Sequence, residues 1–337
     1  MTTLWDTTGT AVVKALGVER RQAGAVSSGL ALTLVVVVDE KRVAEAEAAA
    51  TRAAAQHPCR LLVVVRRRPD APEPRLDAEV LIGGRLGPGE AVVMRMYGRL
   101  ALHAESVVLP LLAPDAPVVT WWYGDPPHLI AHDPLGVFAD RRVTDSSLGS
   151  DPLAALRQRA ADYVPGDTDL AWTRTTAWRA LCASAYDSAD GQAVRARVVG
   201  EPGDGARSLL AGWLTSRLGL EVTVEDSPGP GITEVEIGVE ETTLHLVRGE
   251  GQTVVLAHSD QPDRTLPLPR RDLGDLLAEE LQRLDSDETY AEALSAFAGG
   301  GDLSALAVAR THVWVDPVQD TTESQLVEGV PRSDERS

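Results

Sequence analysis

Gly29–Glu40, GLALTLVVVVDE, is an almost unbroken run of apolar and β-branched residues, the pattern of a strand buried on both faces. Glu40–Pro58 follows, rich in Ala, Glu and Arg, and reads as a helix that Pro58 stops. A second apolar run, Cys59–Arg68, predicts another buried strand. Strand, helix and strand in so short a span form a βαβ unit, so the two strands are expected to run parallel. After the proline-rich loop Asp70–Arg75, Ala78–Gly84 and Glu90–Gly98 read as strands around the glycine-rich turn Gly83–Glu90. Leu100–Leu112 reads as a helix closed by Pro114 and Asp115, and Ala116–Gly124 as the next strand. A short helix and a strand over Arg141–Ser147 complete the expected first domain, residues 1–150.

The pattern then changes. Asp151–Tyr163 is amphipathic with Ser150 or Asp151 as its cap, and Thr168–Ser188 reads as a second helix carrying Trp172 and Trp178. These two predict a helical bridge over 151–190. Five short strand candidates follow, Gly191–Glu201, Leu220–Asp226, Gly231–Glu241, Thr242–Glu250 and Gln252–Asp260, several alternating apolar with polar. Such a meander predicts a mainly antiparallel sheet with one solvated face. Gly205–Gly219 reads as a helix stopped by Gly219, and Arg270–Leu284 and Asp287–Gly299 as two more. The expected fold is therefore α/β, with a mostly parallel N-terminal sheet, the bridge, and a C-terminal α+β domain over 191–315. The polar tail, 316–337, is expected to be disordered.

One strand raises a question of packing. Trp121 and Trp122 are adjacent, although the 337 residues hold only 7 tryptophans, 5 tyrosines and 2 phenylalanines. Neighbouring side chains of a strand point to opposite faces, so one core cannot take both. One indole is expected to seal the first domain's core, the other to pack between layers or under a partner.

Composition narrows the function. The formal net charge is −18, with 50 acids against 32 bases, which argues against nucleic acid or an anionic membrane as partner. The local clusters Arg66–Arg68 and Arg141–Arg142 read as strand-end charge. Lys14 and Lys41 are the only lysines and asparagine is absent, which removes most lysine chemistry and any catalytic Asn. Cys59 and Cys182 are far apart, with no C-x-x-C, so neither a disulfide framework nor a zinc site is expected and a reducing cytoplasm is the default. The N-terminus has no basic start followed by an apolar core, and no apolar run approaches membrane-spanning length.

A search for chemistry finds no assembled set. Gly83–Glu90 lacks the glycine order of a dinucleotide loop and leads into a strand. Gly200–Ser208 joins a strand to a helix, yet it lacks the Lys-Ser/Thr of a phosphate loop and carries Glu201 and Asp204, so it reads as a tight turn. His128 and His132 stand four apart beside Asp133, but prolines at 126, 127 and 134 argue against the helix that would align them as metal ligands. No nucleophile, base and orienting group come together. No catalytic, cofactor or metal residues are assigned, and the chain reads as one that binds rather than catalyses.

Four stretches together resemble one family. His57–Val65 (HPCRLLVVV), Ser106–Trp122 (SVVLPLLAPDAPVVTWW), Asp169–Ala183 (DLAWTRTTAWRALCA) and Leu209–Gly219 (LLAGWLTSRLG) are similar, in order and spacing, to the glucose-6-phosphate dehydrogenase assembly proteins called OpcA. The resemblance spans roughly residues 1–310 and leaves out the tail. It implies a non-catalytic protein of actinobacteria and cyanobacteria that binds glucose-6-phosphate dehydrogenase, promotes its active oligomer and modulates it allosterically in the oxidative pentose phosphate pathway. Cysteine redox chemistry is attributed to cyanobacterial members; Cys59 falls in a matched stretch, but two distant cysteines give a dithiol switch little support. Residue type within the matched stretches selects Trp122, Trp172, Trp178 and Arg179 as partner-binding candidates. The alternative is an enzyme or sensor that binds a sugar phosphate or nucleotide at the carboxyl ends of the N-terminal sheet, against which stands the acidic, glycine-free end of its first strand, Val37–Arg42. A protein that binds another enzyme of the same pathway is a third possibility.

Overall fold

Two sheets, of eight and six strands, frame the computed structural model, which describes residues 1–23, 30–83, 89–259 and 261–307. The tail expected to be disordered, Trp314 and the middle of the Gly83–Glu90 turn lie outside the described residues. The first part of the chain runs β1 (Thr2–Leu4), α1 (Gly9–Gln22), β2 (Leu32–Asp39), α2 (Val43–Gln56), β3 (Cys59–Arg67), β4 (Arg75–Ile82), β5 (Glu90–Tyr97), α3 (Glu105–Val108), β6 (Val118–Tyr123), β7 (Arg141–Thr144), α4 (Pro152–Ala161) and β8 (Asp167–Asp169). The sheet order is β1-β4-β5-β3-β2-β6-β7-β8. Every pairing from β5 to β8 is parallel, and β4 and β1 are antiparallel additions at one edge. The strands from β5 to β8 thus follow the 3-2-1-4-5-6 order of a doubly wound dinucleotide-binding sheet, with its switch point between β2 and β6.

The apolar runs are explained by layers on both faces. Leu34, Val36 and Val38 of β2 face a core shared with α2, while Val35 and Val37 face one shared with α1. Leu100–Leu112, expected as one helix, is instead two 3₁₀ turns flanking the single turn α3, with Pro110 in the second of them. The short helix expected ahead of Arg141 is a series of turns.

The second part runs α5 (Leu170–Thr173), α6 (Thr176–Tyr186), β9 (Ala193–Gly200), α7 (Gly205–Leu218), β10 (Val222–Asp226), β11 (Ile232–Val239), β12 (Thr242–Arg248), β13 (Thr253–His258), β14 (Gln261–Pro267), α8 (Leu273–Leu281) and α9 (Glu288–Ala298). The order β10-β9-β11-β12-β13-β14 is antiparallel except for β10 with β9, which the α7 crossover makes parallel. Val198, Val235, Ile237, Leu244 and Leu246 point into a core with Leu209, Leu210 and Leu214 of α7 and Leu294 of α9. The helices cross closely: a Cβ on Gly212 would lie 2.3 Å from the Ala293 carbonyl oxygen.

The boundaries expected at 150 and 190 do not coincide with these layers. β8, inside the expected bridge, is the last strand of the first sheet. The helix expected over Thr168–Ser188 is broken into β8, α5 and α6. α8, from the expected third region, leaves the second sheet and packs on α2, where a Cβ on Gly274 would sit 2.8 Å from Arg52 Cβ.

Candidate functional site

The tryptophans locate first. Trp121 is 0% exposed and lies in the core under α2 and α8; Trp122 is 2% exposed and lies in the opposite core under α1. Period-two alternation sends the adjacent indoles to two different cores, and both are filled from within the chain. Trp172 and Trp178 are 1% and 3% exposed and belong to the core of the second sheet. The Trp172 Nε1–H donates to Asp287 at 2.9 Å, and Arg179 stacks on its ring with Cζ 3.6 Å from the centroid. Arg179 also donates to the Thr175 and Thr176 hydroxyls, and burial lowers its pKa to about 10. Of the four partner-binding candidates, Trp122, Trp172 and Trp178 are thus core side chains, and Arg179 is half-buried in an internal stack. Among the described tryptophans, Trp5 is the exposed one, at 68%.

In a doubly wound sheet the ligand crevice opens at the carboxyl ends of the strands on either side of the switch point. Here those ends are Asp39 of β2 and Tyr123 of β6. Asp39 Oδ1 accepts the backbone N–H groups of Lys41 (2.8 Å) and Arg42 (3.1 Å), donors that a phosphate-binding turn would turn toward its anion. Arg42 reaches across the switch point: a Cβ on Gly124, whose φ is +138°, would lie 2.7 Å from Arg42 Nη1. Asp39 and Arg42 also pair at 3.8 Å. A carboxylate and a guanidinium of the chain itself thus lie at the turn where a sheet of this order takes a pyrophosphate. The glycine-free turn Asp39–Arg42 carried this signal in the sequence; the position of Arg42 against Gly124 did not.

Beside this plug lies an open depression of about 570 Å³ lined by Lys41, Arg66, Arg67, Arg68, Asp39 and Glu40. Arg67 pairs with Glu40 at 2.9 Å and Arg66 with Asp133 at 3.6 Å, so much of its charge is matched. The second candidate phosphate loop is closed in the same manner. Asp204 caps α7 by accepting the Ala206 and Arg207 N–H groups, both at 3.2 Å.

Ion pairs brace the end of the first sheet against α5 and α8. Arg142 binds Asp167, Arg174 holds Asp145 through two hydrogen bonds of 2.8 and 2.7 Å, and Arg141 binds Glu280. Asp169, fully inside, accepts from Thr144, Ser146 and Ala171. Cys59 and Cys182 are free and buried in separate cores, and burial pushes both thiols up to about 12. His128 is exposed and His132 half-buried, on turns rather than a helix. Among the described residues, Glu234, Glu236 and His245 could meet on one metal, but Arg197 already pairs with both carboxylates, at 2.5 and 3.0 Å. These residues, with Arg195, form a charged ladder on the sheet face opposite its helices.

Comparison with known proteins gives one consistent result and one weak one. Residues 50–161 match the family model described as glucose-6-phosphate dehydrogenase subunit N-terminal domain, and residues 165–294 match its C-terminal domain counterpart. An OxPP cycle protein named OpcA from Synechococcus elongatus is 29% identical over 257 residues, 70% of this chain and 54% of the relative. One of the same name from Synechocystis is 30% identical over 145 residues, 39% of this chain and 29% of the relative. The chain thus spans about half the length of the first of these relatives or less. Among solved structures, KijD10, a 3-ketoreductase from Actinomadura kijaniata, aligns over 84% of this chain and 98% of its own, at 12% identity and TM-score 0.42. A levoglucosan dehydrogenase aligns over 80% and 90%, at 12% and 0.41. Likeness at that level decides nothing about function. No helix among the described residues is long and apolar enough to cross a membrane.

Proposed function

The chain belongs to the glucose-6-phosphate dehydrogenase subunit family called OpcA, and from that membership we propose that it is a non-catalytic partner of the dehydrogenase. The two domain matches, covering 50–161 and 165–294, are the observation that carries this reading. The plugged switch point supports it. Asp39 would repel a pyrophosphate from the turn that a dinucleotide enzyme reserves for it, and Arg42 fills the space beside it. A partner needs no cofactor. It acts by binding the active oligomer of the dehydrogenase more tightly than the inactive form, which shifts the population by its differential affinity. A coupling of ~1–3 kcal/mol is typical and alters substrate affinity several-fold. Two unpaired, buried cysteines support a reducing compartment, the cytoplasm, and give a thiol switch no accessible sulfur. Among the described residues, Trp5 is the aromatic side chain best placed to anchor a partner, since no core contains it.

The test is a titration of the protein into glucose-6-phosphate dehydrogenase of the same organism, following NADP reduction and elution from a sizing column. A larger co-eluting species with a changed rate or half-saturation is expected. Separate elution and unchanged kinetics at micromolar protein overturn the reading. The depression lined by Lys41 and Arg66–Arg68 keeps a second reading in play, in which a sugar phosphate or nucleotide binds there. Binding of such a ligand to the isolated protein, abolished by Lys41→Ala, would establish it.

A further inference from the structure

We propose that a separate cavity, at the seam between the second sheet and α8, binds a small phosphomonoester. It encloses about 230 Å³. That is below the usual range for drug-sized ligands and too small for a dinucleotide. Trp178 of α6, Asp204 at the head of α7, Arg248 at the end of β12 and Arg270 just beyond β14 help to wall it.

Arg248 donates to the Ile232 carbonyl at 3.3 Å and the Leu268 carbonyl at 3.0 Å, and Arg270 to the Pro230 carbonyl at 2.8 Å. Backbone oxygens orient both guanidiniums and neutralise neither. Among the described residues, no carboxylate forms an ion pair with either one. The two other arginines on the wall differ: Arg174 is held by Asp145, and Arg271 by Glu279. Two arginines on one wall, with no carboxylate paired to either among the described residues, favour an anion between them. Burial, and then the neighbouring charge of Arg270, lower the pKa of Arg248, so the pair feels its own repulsion.

Guanidinium pairs favour planar or tetrahedral oxyanions, which they hold through parallel charge-assisted hydrogen bonds. The apolar wall supplied by Ala177, Ala206 and Leu276 suits a short carbon skeleton behind the phosphate. Asp204 is the single carboxylate on the wall, where it caps α7; set against Arg248 and Arg270 its charge still leaves the wall with one positive charge in excess. The Trp178 ring, 5.3 Å from the Arg248 Cζ, closes one side and reports on occupancy. This site is distinct from the Lys41 depression and stands whether or not the dehydrogenase is the partner.

The experiment titrates the whole protein, without any partner, with inorganic phosphate, glucose 6-phosphate and unphosphorylated glucose, by calorimetry and tryptophan fluorescence. Saturable binding of at least one phosphate-bearing probe is expected, none of glucose, and an affinity that falls with added salt. Arg270→Gln, an exposed change, and Arg248→Gln should each weaken binding about tenfold, as loss of one charge-assisted contact implies; Lys41→Ala should not. Equal affinity for both phosphates would identify the phosphate group alone as the ligand, and preference for the sugar phosphate would add the carbon skeleton. Absence of saturable binding, or binding that both arginine variants leave unchanged, overturns the proposal.

Discussion

Arg141 of β7 and Glu280 of α8 stand 139 positions apart in sequence and meet at 2.7 Å, both side chains buried. Thr173 donates to the other carboxylate oxygen at 2.7 Å, so a single acid joins the first sheet, α5 and α8. Burial raises the pKa of Glu280, and the Arg141 charge acts in the opposite direction. Removing one partner leaves an uncompensated buried charge, which costs about 3–5 kcal/mol. Glu280→Ala should therefore lower the urea midpoint strongly. Replacing both residues by leucine should cost much less, and equal losses in the two variants would show that the ion pair is not what binds α8.

The paired indoles lead to a second expectation. Trp122→Ala empties a fully packed site and should cost about 3–5 kcal/mol, with partner binding lost only as far as the fold is lost. Trp122→Phe should be milder, because the indole N–H is buried with no hydrogen-bond partner. Trp172→Phe should be worse than Trp122→Phe, since it strips Asp287 of a 2.9 Å donor and Arg179 of its indole face. Thermal unfolding of the three variants settles the order. A Trp122→Ala protein of normal stability that fails to bind the dehydrogenase would return this residue to the interface.

The contrast between these sites marks how far sequence alone reaches. The runs Leu32–Val38 and Cys59–Val65 could be read because strands buried on both faces need no polar positions, and the Trp121–Trp122 alternation follows from the pleat. β8, Asp-Thr-Asp, could not: its carboxylates are satisfied by Arg142, Thr144 and Ser146, partners that only the fold assembles. β14, polar and with two prolines, is missing from the five expected strands because it is an exposed edge strand. The amphipathic face of α8 predicts a helix and does not say which layer it covers. Of the candidate site, the glycine-free turn after β2 was legible, whereas the convergence of Arg248 and Arg270 depends on the end of β12 meeting the β14–α8 connection.

The cysteines should be inert in the folded protein. With both thiols pushed up to about 12 by burial, the thiolate fraction near neutral pH is negligible. Neither Cys59 nor Cys182 should react with iodoacetamide until denaturant is added, and oxidants should leave dehydrogenase binding unchanged. Rapid modification of either one under native conditions would show that its core opens.

Trp5 offers the opposite case, a large apolar side chain outside every core. Trp5→Ala should leave stability within about 0.5 kcal/mol, as is usual for an exposed position. It should nonetheless weaken co-elution with the dehydrogenase. Wild-type affinity in this variant would move the interface elsewhere, with the Arg195–Arg197 ladder of the second sheet the next surface to mutate.

Stability should depend on pH through Asp162. Burial pushes its carboxyl up to about 7, although Arg159 lies 3.1 Å away. In the unfolded chain an aspartate titrates near 3.8, so between about pH 4 and pH 7 the folded state carries a proton that the unfolded state has lost. Binding more protons when folded makes stability fall as pH rises through that window, and the loss is complete above about pH 7. Asp162→Asn cannot titrate and removes this contribution. Its stability relative to the parent should therefore climb from pH 5 to pH 8, whatever the cost of altering the contact with Arg159. Urea unfolding of both proteins at the two pH values measures the change, and a constant difference between them would place the Asp162 pKa in the ordinary carboxylate range.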